Sequence, residues 1–366
     1  MGKKLLILLI YCFLNIDCSC VNKSYLFRNN SESLLNIQSN LTTNNKKNVI
    51  LGIIQRYSID TILPFFKSFI KANFRNCDIV IFVRNVPKII INYLNSIGVI
   101  VIRISNKYKN IRIINLRWKM YIDFLIKNKY KYKLVLHCDV RDTFFQKDIF
   151  KYYENHEPFL GVAIEDGTLN ESLNKKWIVD FAGDKIHEKI KKERIICIGS
   201  IWGTIDKFLE FSIYFWNKLI KYPAFIEQGI ANYIFYYEKK FKNYLIKSDN
   251  YGPIMTLSLT KKEKIKIDSN DNILNFKGEI AAVIHQYDRK KHLVIKVKNK
   301  YCPELVYYKT IINDSNEFKG KIRLYQIKLR KKNKNIIYLS AFIYFISIIF
   351  AIKRICKKQL YFSEIF

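Results

Sequence analysis

The chain has 366 residues and a net charge of +32, with 63 Lys and Arg against 31 Asp and Glu. Its 49% hydrophobic and 15% aromatic residues exclude an intrinsically disordered chain, and its length predicts about two to three domains or one large α/β domain with appendages. Because Lys, Asn, Ile, Phe and Tyr are abundant while only 12 Gly and 6 Pro occur, we attribute much of the basic charge to codon bias and give it little functional weight.

The N-terminal segment has the pattern of a secretory leader. Two lysines precede an apolar run at residues 5–16, and small residues follow the run. About 12 apolar residues are too few for a membrane span but suit a signal peptide. We therefore expect residues 1–20 to be a signal peptide or an uncleaved signal anchor, and residues 21–47 to be a polar linker or stem.

Strands and helices alternate in the body of the chain. Apolar runs predict strands at 48–54, 78–83, 99–104 and 133–138, and helical periodicity predicts helices at 62–72, 88–97 and 116–127. This alternation predicts an α/β fold of Rossmann-like, doubly wound type, with a mainly parallel central sheet flanked by helices. Ligands are expected at the carboxyl ends of its strands. Neither a G-x-G-x-x-G motif nor a P-loop occurs, so the sequence indicates neither a dinucleotide site nor an ATPase phosphate site.

The fourth predicted strand ends in two acidic residues. Asp139 and Asp142 follow the apolar run, with Arg141 between them. Carboxylates at a strand end can bind a hard divalent cation and leave coordination positions for diphosphate oxygens. These residues leave a second interpretation open, a loop carboxylate held by Arg141.

The stretch H-C-D-V-R-D-T-F-F-Q at residues 137–146 resembles the D-V-R-D-x-x-F-Q signature of a group of nucleotide-diphospho-sugar transferases found in plants, algae and protists. Further blocks that resemble this group follow in the same order at residues 176–178, 197–204, 227–233, 250–257 and 285–289, the last of which reads H-Q-Y-D-R. The group resembles glycosyltransferases of the GT-A fold. The resemblance therefore implies a GT-A-like domain at 48–310, a nucleotide-sugar donor, and Mn²⁺ or Mg²⁺ as cofactor.

The resemblance also implies a set of metal ligands. Asp139 and Asp142 fall at the metal motif of such enzymes, although the D-x-x-D spacing leaves open which carboxylate touches the metal. His285, which follows an apolar run at 280–284, falls at the position of a late third ligand. An imidazole beside two carboxylates suits Mn²⁺. The alternative for His285 is a structural residue after a strand.

Other site residues are candidates for catalysis and for binding the donor. Glu227 and Gln228 precede a helix predicted from 229 to about 239, where the resembled group tends to have Asp-Gln. Glu227 can accept the proton of an acceptor hydroxyl, hold sugar hydroxyls, or stabilise the helix N-terminus. For Arg117 the alternative is a solvated helix face. The candidate donor-binding residues are Gln55, Arg56, Tyr57, Arg117, Arg141, Gly199 and Ser200.

A second apolar run lies at residues 336–352 and has basic flanks. Its length is at the lower limit for a spanning helix. We predict a transmembrane helix there, joined to the body by a basic linker at 311–335 and followed by a basic tail at 353–366. A buried terminal helix of the domain is the alternative.

The cysteines and glycosylation sequons bear on the compartment. Four of the 8 cysteines lie in the body, where no C-x-x-C or Cys/His cluster predicts zinc. One or two disulfides are compatible with an oxidising lumen, and their pairing stays open. Sequons that fit luminal exposure occur at Asn22, Asn29, Asn40, Asn170 and Asn313.

These features predict a metal-dependent glycosyltransferase of the secretory pathway. It would move a sugar from a UDP- or GDP-sugar to a glycan or glycoprotein acceptor in the ER or Golgi lumen, with terminal hydrophobic segments anchoring it to the membrane. The alternative is an inactive glycan-binding or scaffold protein that retains the GT-A fold. A nucleic-acid binder fits the charge, but the chain has no recognised nucleic-acid motif and carries a secretory leader.

Overall fold

A seven-stranded mixed sheet forms the centre of the structure, a computed structural model that describes residues 46–156 and 158–304. The predicted leader, most of the predicted stem, the basic linker and the apolar run at 336–352 lie outside the described residues. None of the helices between residues 46 and 304 has the length and apolar character that crossing a membrane requires.

The strands, in chain order, are β1 (Lys47–Gln55), β2 (Cys77–Arg84), β3 (Ile100–Arg103), β4 (Tyr132–Cys138), β5 (Thr143–Phe145), β6 (Leu160–Thr168), β7 (Arg194–Thr204), β8 (Leu245–Ser248), β9 (Ile254–Thr256), β10 (Lys266–Ile267), β11 (Ile273–Leu274) and β12 (Val283–His285). The helices are α1 (Ile59–Lys71), α2 (Lys88–Ser96), α3 (Ile113–Asn128), α4 (Ser172–Ala182), α5 (Asp184–Ile190), α6 (Ile205–Lys221), α7 (Glu227–Asn232) and α8 (Lys291–Tyr301). A π-helical turn at Tyr233–Glu238 continues α7.

The central sheet has the order β3-β2-β1-β4-β7-β6-β8, and all of its strands except β7 run in the same direction. The predicted α/β fold with a mainly parallel sheet is therefore confirmed. Strand β7 is antiparallel because α4 and α5 return the chain to the edge where β6 ends. As a result, the first half of β7 extends past the carboxyl end of β4, whose last residue, Cys138, pairs with Ser200.

A second sheet of three short strands, in the order β5-β12-β9, lies beside the carboxyl end of β4. Only four residues separate β4 from β5, which pairs antiparallel with β12. The predicted strand at 280–284 is wrong in its bounds, since β12 covers Val283–His285 and Ile280 makes only an isolated bridge to Leu274. His285 is thus the last residue of a strand rather than the residue after one.

Helices cover both faces of the central sheet, which explains why β1, β2 and β4 read as continuous apolar runs. On one face, α6 buries Phe208, Phe211 and Phe215 at helical spacing against Trp118 of α3. On the other face, α1 buries apolar side chains against β5 and the sheet. Each fully buried large apolar side chain stabilises the fold by about 1.5–3 kcal/mol.

Candidate metal centre

Two short chain segments bring Asp139, Asp142 and His285 together. The backbone N–H of Asp139 donates to Gly199 O at 3.1 Å, which extends the pairing of β4 with β7 by one residue. Asp142 immediately precedes β5, and the register of β5 on β12 places Thr143 opposite His285. The residue next to Asp142 is therefore paired with His285, although the two lie far apart in sequence.

The three side chains form a cluster that could hold a metal ion. One ligand atom from each of them lies within 4.8 Å of the others. His285 Nε2 is 3.5 Å from Asp142 Oδ1 and 3.8 Å from Asp139 Oδ2. Two carboxylates and one imidazole form a donor set that suits Mn²⁺ and, less specifically, Mg²⁺.

Two atoms of the cluster support the fit of a cation. Asp142 and His285 are only 3% and 1% exposed, yet Asp142 Oδ1 and His285 Nε2 have no hydrogen-bond partner among the described residues. A buried polar atom without a partner costs about 1–3 kcal/mol. A cation between these atoms would remove that cost. The residues present therefore fit a divalent cation.

A proton competes with a cation for His285. Burial lowers the pKa of His285, but Cys197, Asp139 and Asp142 together hold it well above its ordinary value of 6.5. Since a metal ligand must be a neutral imidazole, cation binding would release this proton.

Arg117 is buried, so the alternative that it lies on a solvated helix face is wrong. The side chain is 2% exposed, and its Nη1 and Nη2 donate to Asp139 Oδ1 and Glu227 Oε1, each at 2.6 Å. Burial disfavours the ionised Asp139 carboxylate, but Arg117 holds the pKa of this carboxyl well below its usual range. Arg117 therefore keeps Asp139 ionised and fixes its position.

Glu227 is the second carboxylate that Arg117 contacts. Its second oxygen, Oε2, accepts from Trp118 Nε1 at 3.2 Å, so both carboxylate oxygens have partners. Burial raises the pKa of Glu227 to about 7, against the opposing effect of Arg117. In this arrangement the Glu227 carboxylate supports Arg117, and Arg117 in turn contacts Asp139.

The remaining polar side chains of α7 hold the first half of β7. Gln228 Oε1 accepts from the Ile198 N–H at 3.0 Å, while Asn232 bonds both the N–H and the carbonyl of Ile196 at 2.9 and 3.0 Å. The helix begins at Glu227, two residues before the predicted start at 229, and changes to a π-helical turn after Asn232. The prediction that Glu227 and Gln228 stand in a turn before the helix is therefore wrong.

Gly199 leaves room for the cluster. A Cβ atom at this position would lie 2.5 Å from His285 Cε1 and 2.7 Å from Asp139 Oδ2. Real Cβ atoms essentially never come this close to other heavy atoms. Among the candidate donor-binding residues, Gly199 thus has a steric reason to lack a side chain.

Two arginines flank the open side of the cluster. Arg141 Nη2 is 3.0 Å from Asp142 Oδ2, and Arg289 Nη2 is 3.8 Å from the same oxygen. Both guanidinium groups also contact Asp288, and both are about two-fifths exposed. Arg289 was not predicted to be a site residue, although it belongs to the H-Q-Y-D-R block. The left-handed backbone of Gln286, with φ of 60°, turns the chain after His285 before Arg289 reaches Asp142.

The other candidate donor-binding residues lie in different environments. Gln55 Oε1 accepts from Arg84 Nη2 at 3.0 Å, and Arg56 is exposed with φ of 57°. Burial raises the pKa of Tyr57, and the neighbouring Asp139 adds to this effect, so Tyr57 lies near the cluster. Ser200 is fully buried, and its hydroxyl has no hydrogen-bond partner within residues 46–156 and 158–304.

Two further buried residues near His285 were not singled out from the sequence. Cys197 Sγ lies 3.5 Å from His285 Nδ1 on the side of the ring away from the carboxylates, and Glu165 is close to Cys197.

The four described cysteines, Cys77, Cys138, Cys197 and Cys302, are free thiols. The disulfides that an oxidising lumen would permit therefore do not form among the described residues.

Comparison with known proteins identifies no family. No protein-family model matches the chain, and no curated protein does. Among solved structures, the glycosyltransferase GlyE of Streptococcus pneumoniae TIGR4 is similar, with 15% identity and a TM-score of 0.36. The similarity covers 57% of this chain and 46% of that chain, so this chain spans less than half of the GlyE structure.

Proposed function

We propose that the chain is a metal-dependent glycosyltransferase that moves a sugar from a nucleoside diphosphate sugar to a glycan or protein acceptor. The observation that carries the proposal is the cluster of Asp139, Asp142 and His285 at the carboxyl end of β4, flanked by Arg141 and Arg289. A cation site with exposed guanidinium groups beside it is complementary to a diphosphate. Its place at the strand ends of an α/β sheet is where such folds bind ligands.

In this proposal Asp139, Asp142 and His285 hold Mn²⁺ or Mg²⁺, which when bound supplies positive charge that stabilises a diphosphate leaving group. Arg117 keeps Asp139 ionised and in place. Arg141 and Arg289 present N–H donors to the phosphate oxygens, as guanidinium groups do in many phosphate sites. Gly199 keeps the space above His285 and Asp139 free of a side chain.

Glu227 and Gln228 have different parts in the proposed reaction. Because both oxygens of Glu227 bond Arg117 and Trp118, we assign this residue to positioning Arg117 rather than to accepting a proton. Gln228 uses its Oε1 to hold β7, and its Nε2 has no hydrogen-bond partner among the described residues. Gln228 Nε2 is therefore the better candidate for a contact with the donor sugar.

We further propose that the reaction takes place in the ER or Golgi lumen, on a protein anchored by its terminal segments.

The first prediction tests the metal centre through the nucleotide. Calorimetric titration of UDP and GDP into the full chain should show binding that Mn²⁺ strengthens. Asp142→Asn should weaken the Mn²⁺-dependent part by more than about 100-fold, since even outer-shell changes cost about 10- to 100-fold in metal affinity. His285→Ala should be milder if water replaces the imidazole, and the weak metal-free affinity should change little.

Asp206→Asn is the matched control, because this carboxylate is 72% exposed and lies on α6. Unchanged Mn²⁺-dependent binding in the Asp139→Asn, Asp142→Asn double variant would refute the metal centre. A second assay measures the release of UDP or GDP from a panel of nucleotide sugars. Such turnover distinguishes an active transferase from an inactive protein that binds glycans. Metal-dependent nucleotide binding without any turnover would favour the inactive protein.

A further inference from the structure

The imidazole of His285 has two sides with different partners. Nε2 faces the Asp139 and Asp142 carboxylates, whereas Nδ1 lies 3.5 Å from Cys197 Sγ. Among the described residues, Cys197 Sγ is the hydrogen-bond partner of Nδ1. Cys197 is 3% exposed and lies on β7, whose first half is held by Gln228 and Asn232.

The position of the ring proton decides whether His285 can be a ligand. A cation at Nε2 needs the lone pair of that nitrogen, so the proton of the neutral ring must be on Nδ1. In that tautomer Nδ1–H donates to Cys197 Sγ. If the thiol S–H instead donated to Nδ1, the ring proton would lie on Nε2 and would exclude the cation.

Glu165 is a second neighbour of the Cys197 thiol. It is buried on β6, next to β7, and interacts with Cys197 and with the Gln286 side chain. The Cys197 side chain is a thiol, whose S–H can donate a hydrogen bond while its sulfur accepts another. When that proton points to the Glu165 carboxyl, the sulfur lone pairs are available to His285 Nδ1–H.

We propose that Cys197 and Glu165 are positioning residues for the metal ligand, in a relay in which His285 Nδ1–H donates to Cys197 Sγ and Cys197 S–H donates to the Glu165 carboxyl. The relay fixes the tautomer of His285 that has its lone pair on Nε2, and it fixes the orientation of the ring. This inference rests on the proposed metal centre. Metal-bound histidines commonly donate their second ring N–H to an oxygen atom, and here a thiol takes that place.

The affinity of the full chain for Mn²⁺ alone tests the relay, with free Mn²⁺ measured by electron paramagnetic resonance. Cys197→Ala should weaken Mn²⁺ binding about tenfold, near the lower end of the effect of outer-shell partners because sulfur is a weak acceptor. Cys197→Ser should stay within about threefold of wild type, because a hydroxyl can also accept from Nδ1–H and donate to Glu165.

Cys302→Ala is the matched control, because Cys302 is also fully buried but packs in the apolar cluster around Phe144 and Tyr301. It should lower stability without changing the Mn²⁺ affinity. Cys197→Ser should likewise lower stability while keeping the affinity, which a purely structural role of Cys197 would not predict.

Nitrogen NMR of ¹⁵N-histidine protein in Mg²⁺ gives a second measurement that does not depend on a variant that folds poorly. The wild-type His285 signal, assigned by its loss in His285→Gln, should show the proton on Nδ1. At a Mg²⁺ concentration that saturates wild type, part of the Cys197→Ala protein should keep His285 without a bound cation and give a second signal, whereas Cys197→Ser should resemble wild type.

The outcomes separate the relay from the centre itself. If wild type binds Mn²⁺ but Cys197→Ala matches it in affinity, or if Cys197→Ser also loses about tenfold, the relay is refuted and the metal centre stands. If wild type binds Mn²⁺ no better than the Asp139→Asn, Asp142→Asn double variant, the metal centre and the relay are both refuted. A wild-type His285 protonated on Nε2 in the Mg²⁺-loaded protein would also refute the relay.

Discussion

Gly199 shows at the level of a single residue how the cluster of Asp139, Asp142 and His285 depends on empty space. The two side chains that a Cβ would meet are both held in place, since His285 is buried in β12 and Asp139 is bonded to Arg117. Neither can move aside without losing its place in the cluster. A glycine is needed here for close approach rather than for an unusual backbone angle, since its φ is not positive.

The second prediction is that Gly199→Ala weakens Mn²⁺ binding by about tenfold or more, because the added methyl group displaces two of the three ligands. The measurement is the Mn²⁺ affinity together with the free energy of unfolding. Gly167→Ala serves as the control, since its Cβ would meet the flexible end of the Leu259 side chain. Wild-type affinity in Gly199→Ala would mean that the cluster has more space than the structure shows.

Helix α7 shows at the level of an element how a short segment organises the site. It spans only Glu227–Asn232, yet three of its side chains connect Arg117 of α3, Ile198 and Ile196 of β7. Asp139 is bonded to Arg117 and to the backbone of Gly199, so α7 supports it from two directions. The π-helical turn that follows α7 is a feature often found near functional sites.

The third prediction concerns the pH dependence of stability that Glu227 brings. Burial raises the pKa of Glu227 from 4.5 to about 7 in the folded chain. The folded state therefore holds this proton more tightly than the unfolded state, so the stabilising contribution is complete below pH 4.5 and is lost as the pH rises towards 7. Relative to Glu227→Gln, wild type should lose up to about 3 kcal/mol between pH 4 and 8.

Urea unfolding of both proteins across this pH range in the presence of a chelator measures the difference. Glu263→Gln, at an exposed position, is the control substitution. If wild type gained stability over Glu227→Gln as the pH rose, the ion pair with Arg117 would outweigh burial, and the assigned direction would be wrong.

At the scale of the whole molecule, the leader and the sequons predict entry into the secretory pathway. Asn170, the one sequon asparagine within the described residues, is exposed between β6 and α4. The fourth prediction is that N-glycosidase treatment of the protein from a glycosylating cell sharpens and lowers its gel band. Asn170→Gln should remove one step of that shift. An unshifted band together with cytosolic fractionation would contradict the luminal assignment.

The C-terminal apolar run gives the fifth prediction. We expect residues 336–352 to anchor the protein, so deletion of residues 336–366 should convert a carbonate-resistant membrane protein into a soluble one if the leader is cleaved. The measurement is carbonate extraction of membranes followed by detection of the chain. Misfolding or aggregation of the shortened chain would instead indicate that the run belongs to the core of the domain.

Much of this architecture could be predicted from local patterns. The strands β1, β2 and β4 are apolar on both faces because helices cover both sides of the sheet, and this produces a continuous signal in the sequence. The resemblance led us to expect that Asp139, Asp142 and His285 meet, but the structure brings them together through the pairing of β5 with β12 in the second sheet rather than along the edge of the central sheet. The D-x-x-D spacing left the direct ligand open, and the structure places both carboxylates within reach of His285.

Other features depend on contacts between segments that lie far apart in sequence. The reversal of β7 follows from where α4 and α5 return the chain, and it alone brings Cys197 and Gly199 to His285. From its position in a helix, Arg117 would be expected on the surface. In the structure it is buried, and its charge is balanced by Asp139 and Glu227. Local patterns and the resemblance were thus enough to predict the layers of the fold and the three members of the candidate cluster. The neighbours that orient these side chains could be identified only from the three-dimensional arrangement, because burial and pairing across more than 80 residues have no local signature.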